Sequence, residues 1–216
     1  MPRNSGPRFR FGALLLIAAV ALPALAFEYP LSSTSIRDAY FLGRAGQQRR
    51  EKFLSQYTRF LPAPATGPQV ALVQLETPFV VIVDRSARSI ANYYAQDAEK
   101  EFTDKPGIFR VRIRIDLTES YGWNMASTPG TIRLRPGDFW KEFKIKLIQG
   151  REISLKALHG DPIYTSSDDG GASYLSGAWI VADYDAEEVK DAAATVEVIP
   201  PEGEKVDVGF PLDELR

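Results

Sequence analysis

The chain has 216 residues, 44% of them hydrophobic and 25% charged, with a formal net charge of −2. These proportions belong to a protein that buries one sizeable core, and an aromatic content of 11% excludes a largely disordered chain. Cysteine is absent, which excludes disulfides, a lipid-modified cysteine, thiolate zinc sites and a cysteine nucleophile.

Residues 1–26 read as a secretory signal. Arg3, Arg8 and Arg10 form a basic opening, Phe11 to Leu22 is uncharged and mostly apolar, Pro23 breaks the run, and Ala24-Leu25-Ala26 offers small residues for cleavage after Ala26. A membrane anchor is the competing reading, but the apolar run falls at the short end of the roughly 20 residues a spanning helix needs. The expected location is therefore periplasmic or secreted, with no transmembrane segment after cleavage. Loss of the three arginines lowers the Lys+Arg count from 26 to 23 against 28 acids, about −5 in all. That balance argues against nucleic acid as a partner.

Residues 27–61 read as a helical N-terminal segment. Ser32, Ser33 and Thr34 are candidate N-caps, Ile36 and Tyr40 share one face, and Phe53, Tyr57, Phe60 and Leu61 cluster on another. Gly43 and Gly46 are expected to divide the stretch into two helices, packed on the protein's own sheet. Residues 62–68, PAPATGP, read as a proline-rich linker.

Residues 69–216 read as a β-rich domain. Val70–Glu76 and Phe79–Asp84 are short β-branched runs, so both are predicted strands, with a helix or two inserted over 86–102. The clearest period runs from Phe109 to Leu117, where Phe109, Val111, Ile113, Ile115 and Leu117 alternate with Arg110, Arg112, Arg114 and Asp116. Ile132 and Leu134, then Phe143, Ile145 and Leu147, repeat the pattern. Further strands are expected at 162–165, 177–184, 194–199 and 205–210, the last two linked by Pro200-Pro201-Glu202-Gly203. The fold class is α+β: an antiparallel β-sandwich-like domain preceded by an N-terminal helical segment.

Catalytic signatures are scarce. The one histidine, His159, lies in His159-Gly160-Asp161-Pro162, which reads as a turn, and no G-x-S-x-G elbow accompanies it. H-E-x-x-H, the Walker loop and G-x-G-x-x-G are all absent. Asp183, Asp185 and Glu187 loosely resemble the start of a calcium loop, which makes calcium the one candidate cofactor, but Glu188 stands where the loop glycine belongs. Asp168 and Asp169 sit in a polar, glycine-containing stretch.

Two surfaces could bind a ligand. Arg110, Arg112 and Arg114 share one strand face; Arg133 with Arg135, and Lys144 with Lys146, repeat the arrangement. Were the three strands neighbours, seven cations would crowd one face and attract phosphate or carboxylate groups. Asp116, Glu119 and Glu142 are available to neutralise them. Trp123, in the loop-like Tyr121-Gly122-Trp123-Asn124, could stack on a sugar, whereas Trp140 and Trp179 read as core. The expected function is an exported, non-enzymatic protein that binds an envelope protein or anionic polymer. The alternatives are a carboxylate-based hydrolase of extracellular or cell-wall glycans, which needs a second acid paired with Asp161, Asp168 or Asp185, and an assembly subunit of an envelope complex.

Overall fold

A computed structural model describes residues 27–89, 92–103, 107–125, 132–166 and 173–216, without the side chains of 123–125 and 132–134. The expected signal segment, residues 1–26, lies outside the described residues. In chain order the elements are helix α1 (Ser33–Arg44), helix α2 (Gln47–Leu54), strand β1 (Thr58–Phe60), strand β2 (Gln69–Glu76), helix α3 (Pro78–Arg88) and helix α4 (Ala95–Thr103). Strand β3 (Ile108–Asp116), the short helix α5 (Glu119–Gly122), and strands β4 (Trp123–Met125), β5 (Ile132–Leu134), β6 (Lys144–Gln149) and β7 (Arg151–Ile153) follow. The long strands β8 (Leu155–Ser166) and β9 (Ser173–Asp185), then β10 (Ala193–Ile199) and β11 (Val206–Pro211), complete the chain.

The strands form a five-stranded sheet ordered β1-β2-β3-β9-β8, a four-stranded sheet ordered β11-β10-β6-β7, and the pair β4-β5. Every pairing is antiparallel. The α+β class expected from the sequence is the one observed. The two larger sheets share one core. Val111, Ile113 and Ile115 of β3, Ile180 of β9, Leu147 of β6, and Val196 and Val198 of β10 are all fully buried within it. Burying each such side chain contributes about 1.5–3 kcal/mol relative to leaving it in water.

Phe79–Asp84 corrects the strand prediction: it lies inside α3. The Thr77 hydroxyl accepts the Val80 N–H, and Pro78 occupies the first helical position, where its missing N–H costs nothing. A short apolar run has no period of its own to distinguish strand from helix, so the cap decided it. The expected helix over 86–102 reduces to the end of α3 and to α4. The strand expected at 162–165 is the far end of β8. Gly43 lies within α1 rather than between helices, and the break comes at Ala45 and Gly46.

The N-terminal helices also differ from expectation in what they pack on. Ile36, Ala39 and Tyr40 of α1 meet Phe79, Ile82 and Val83 of α3 and Ala98 of α4, which makes a second, helical core. Gly43 is required there, because a Cβ at this position would fall 2.3 Å from the Val83 carbonyl oxygen. The residues on either side of these helices reach the sandwich: Phe27 and Tyr57 are buried in the main core, with Phe53 and Leu54 packed against it.

Candidate functional site

Residues two apart on a strand share a face, and the register of the five-stranded sheet lines up three rows on its outer face. Glu76, Arg110, Asp183 and Ala157 form the first row; Gln74, Arg112, Val181 and His159 the second; Leu72, Arg114, Trp179 and Asp161 the third. The inner residues of the same strands are core, so the polar alternates must all lie on this face.

The rows interlock. Arg110 donates from Nε to Asp183 Oδ1 at 2.6 Å and from Nη2 to Oδ2 at 3.1 Å, and its Nη1 lies 3.7 Å from Glu76 Oε2. Arg112 donates to Glu76 Oε1 at 3.2 Å, and its guanidinium lies 4.8 Å from the ring centre of Trp179. His159 Nε2 is 3.8 Å from Asp183 Oδ2. Arg114 leaves the cluster by donating to Asp116 at 2.8 Å.

Burial sets the electrostatics. Glu76 is only 2% exposed. Desolvation raises its pKa above the ordinary carboxylate value, with Asp84 adding to the rise and Arg112 and Arg110 opposing it. Its hydrogen bond to Asp183 holds the Arg110 guanidinium even more firmly protonated than usual. Glu76, Arg110, Arg112, Arg88, His159, Asp161, Trp179 and Val181 line a cleft of about 200 Å³. Arg88 enters from α3, its Nη2 2.9 Å from Asp84. Larger hollows lie elsewhere among the described residues: one of about 420 Å³ between the proline-rich linker and residues 200–206, one of about 630 Å³ lined by Leu117, Arg135, Tyr164 and Leu175, and one of about 290 Å³ lined by Asp38, Arg49, Phe79 and Arg216.

The seven expected cations are not one surface, because their strands are not neighbours. Arg110, Arg112 and Arg114 belong to the five-stranded sheet, Lys144 and Lys146 to the four-stranded sheet, and Arg133 to the β4-β5 pair, with its side chain outside the description. Arg135 is buried: it donates to the Tyr121 carbonyl at 2.6 Å and lies 3.4 Å from both Glu142 and Glu202. Lys146 pairs with Glu152 at 2.6 Å.

The expected calcium ligands are placed apart in their partners. Asp183 holds Arg110. Asp185 pairs with Lys156 and accepts the Glu187 N–H at 3.1 Å. Among the described residues no group of three or more histidine or acidic side chains is arranged to hold a metal ion. Asp168 and Asp169 lie outside the described residues, as does the Trp123 side chain. His159 is in mid-strand rather than in a turn, and the neighbouring Gly160 leaves room for Trp140, whose ring a Cβ would meet at 2.3 Å. Trp179, expected in the core, is half-buried on the outer face.

Nothing in the local sequence shows that Glu76, His159, Asp161 and Trp179 form one cluster. Strand parity alone places Glu76 on one face with Gln74 and Leu72. What it lacked was the partner strand and the register. No family model matches the chain, and no match emerges among curated proteins or solved structures.

Proposed function

We propose that the chain is an exported, non-enzymatic binding protein that holds a small polar group of an envelope component in the cleft of the five-stranded sheet. The observation that carries this reading is the interlocked set Glu76, Arg110, Arg112 and Asp183. Its ionic groups are already satisfied by one another, so they present fixed donors and acceptors at little ordering cost on binding. Location outside the cytoplasm rests on the N-terminal pattern of residues 1–26.

Sedimentation with purified cell-envelope polymer tests the reading, comparing wild type with a His159→Ala/Asp161→Ala double variant. Both residues are exposed, and an unchanged melting temperature checks that the variant keeps the fold. Co-sedimentation of wild type alone supports the cleft. Equal sedimentation of both proteins, or of neither, refutes it.

One observation favours glycan hydrolysis as a second reading: the cleft holds two acids of different character, Glu76 with its pKa raised by burial and the exposed Asp161. Release of reducing ends by wild type but not by Asp161→Asn would establish it. The assembly-subunit alternative would draw on the N-terminal helices, where Ile36, Ala39 and Tyr40 of α1 pack within the helical core while Phe41 stays exposed.

A further inference from the structure

We infer that the cleft takes an uncharged, polyhydroxylated ligand, one pyranose ring of a glycan, rather than an anionic group. This rests on the binding reading above and names the ligand class of the same site. Each guanidinium in the cleft already faces a carboxylate: Arg110 faces Asp183 and Glu76, Arg112 faces Glu76, and Arg88 faces Asp84. Asp161 is the exception on the acidic side. It is exposed, has no ion-pair partner among the described residues, and stands opposite Trp179 in the register.

An incoming phosphate or carboxylate would meet three guanidiniums that are already paired, and a free carboxylate at the rim. To bind, it would have to break ion pairs that a nearly buried Glu76 depends on, and stranding that charge is costly. A hydroxyl pair meets no such conflict. Each hydroxyl is both donor and acceptor. One can accept from Arg112 or His159 while its neighbour donates to Asp161, with Trp179 and Val181 as the apolar wall. The volume of about 200 Å³ suits one ring. It falls below the roughly 300–1,000 Å³ of sites that enclose drug-sized ligands.

The test is calorimetric titration of the purified protein with two sets of probes at low and high salt. One set is neutral: the tetrasaccharides of glucose, mannose and N-acetylglucosamine. The other is anionic: inorganic polyphosphate and oligogalacturonate. The expected result is binding of a neutral oligosaccharide that is indifferent to salt and is weakened roughly tenfold to a hundredfold by Asp161→Asn, the loss of a hydrogen bond to a charged group. Asp161→Asn is at the surface, and an unchanged melting temperature verifies its fold. Salt-sensitive binding of polyphosphate or oligogalacturonate alone overturns the ligand class. So does failure of every neutral probe while polymer sedimentation still depends on His159 and Asp161, and in both cases the binding reading survives. If sedimentation is equally indifferent to those residues, both fall.

Discussion

Arg110 and Asp183 face each other across β3 and β9 through two hydrogen bonds, of 2.6 and 3.1 Å, where the alternation of β3 alone would have left Arg110 in water. The pair joins the middle of the five-stranded sheet to the floor of the cleft. Removing one partner strands the other, so Arg110→Leu is expected to destabilise the protein by about 2 kcal/mol, discounted from the roughly 3–5 of a fully buried pair because Arg110 keeps some exposure. The double variant Arg110→Leu/Asp183→Leu should recover part of that loss. Denaturant melts of the two single variants and the double variant measure the coupling, and strictly additive losses would mean the pair contributes nothing.

Glu28 is expected to give the fold an acid-sensitive edge. Burial pushes its pKa up, but hydrogen bonds from the Ser35 hydroxyl and from the Ser32 N–H and hydroxyl outweigh it and leave the pKa below its ordinary 4.5. A carboxylate lowered in the folded state contributes stability above its unfolded value, and that stability is lost as pH falls through the folded value. Glu28→Gln should therefore melt earlier than wild type at neutral pH. The two curves should converge once pH is below the depressed value. A gap that persists in acid would place the effect in packing instead.

Gly160 is where the sheet and the cleft share a constraint. Gly160→Ala would drive a methyl into the Trp140 ring, which lies 2.3 Å from the Cβ position. A loss of about 1–3 kcal/mol is expected, together with weaker ligand binding, because His159 and Asp161 flank the displaced residue. An unchanged melting temperature would show that Trp140 can move aside cheaply.

Phe27 follows directly on the expected cleavage position and is buried, its ring centre 5.5 Å from that of Phe109. Phe27→Ala is expected to cost about 3 kcal/mol. The same burial predicts the order of maturation: a signal peptidase acting after Ala26 needs Phe27 free of the core. Folded precursor should resist cleavage and urea-unfolded precursor should be cut. Equal cleavage rates would contradict this order.

The legible parts of the fold were those with a strong period and one wet face. β3 is the clearest case, because Phe109, Val111, Ile113 and Ile115 alternate with charge, and β6 and β10 behave alike. α3 is not legible in the same way, because Phe79 to Val83 is apolar without a period, and its helix is set by Thr77 and Pro78 at its start. The site was hardest to see. The arginines of β3 were visible, but what they do depends on Glu76 lying 34 residues earlier and Asp183 lying 73 residues later than Arg110. Local sequence carries strand parity. It does not carry which strands become neighbours, and that choice turned an expected cationic face into a neutralised cleft.

In the proposed function the outer face of the five-stranded sheet is the binding surface. Amide chemical-shift mapping of the labelled protein during addition of soluble envelope-glycan fragments addresses it most directly. Perturbations are expected to centre on Arg112, His159, Asp161, Trp179 and Val181, with the four-stranded sheet and α1 unmoved. Shifts centred on the helices, or on the hollow beside the proline-rich linker, would contradict it.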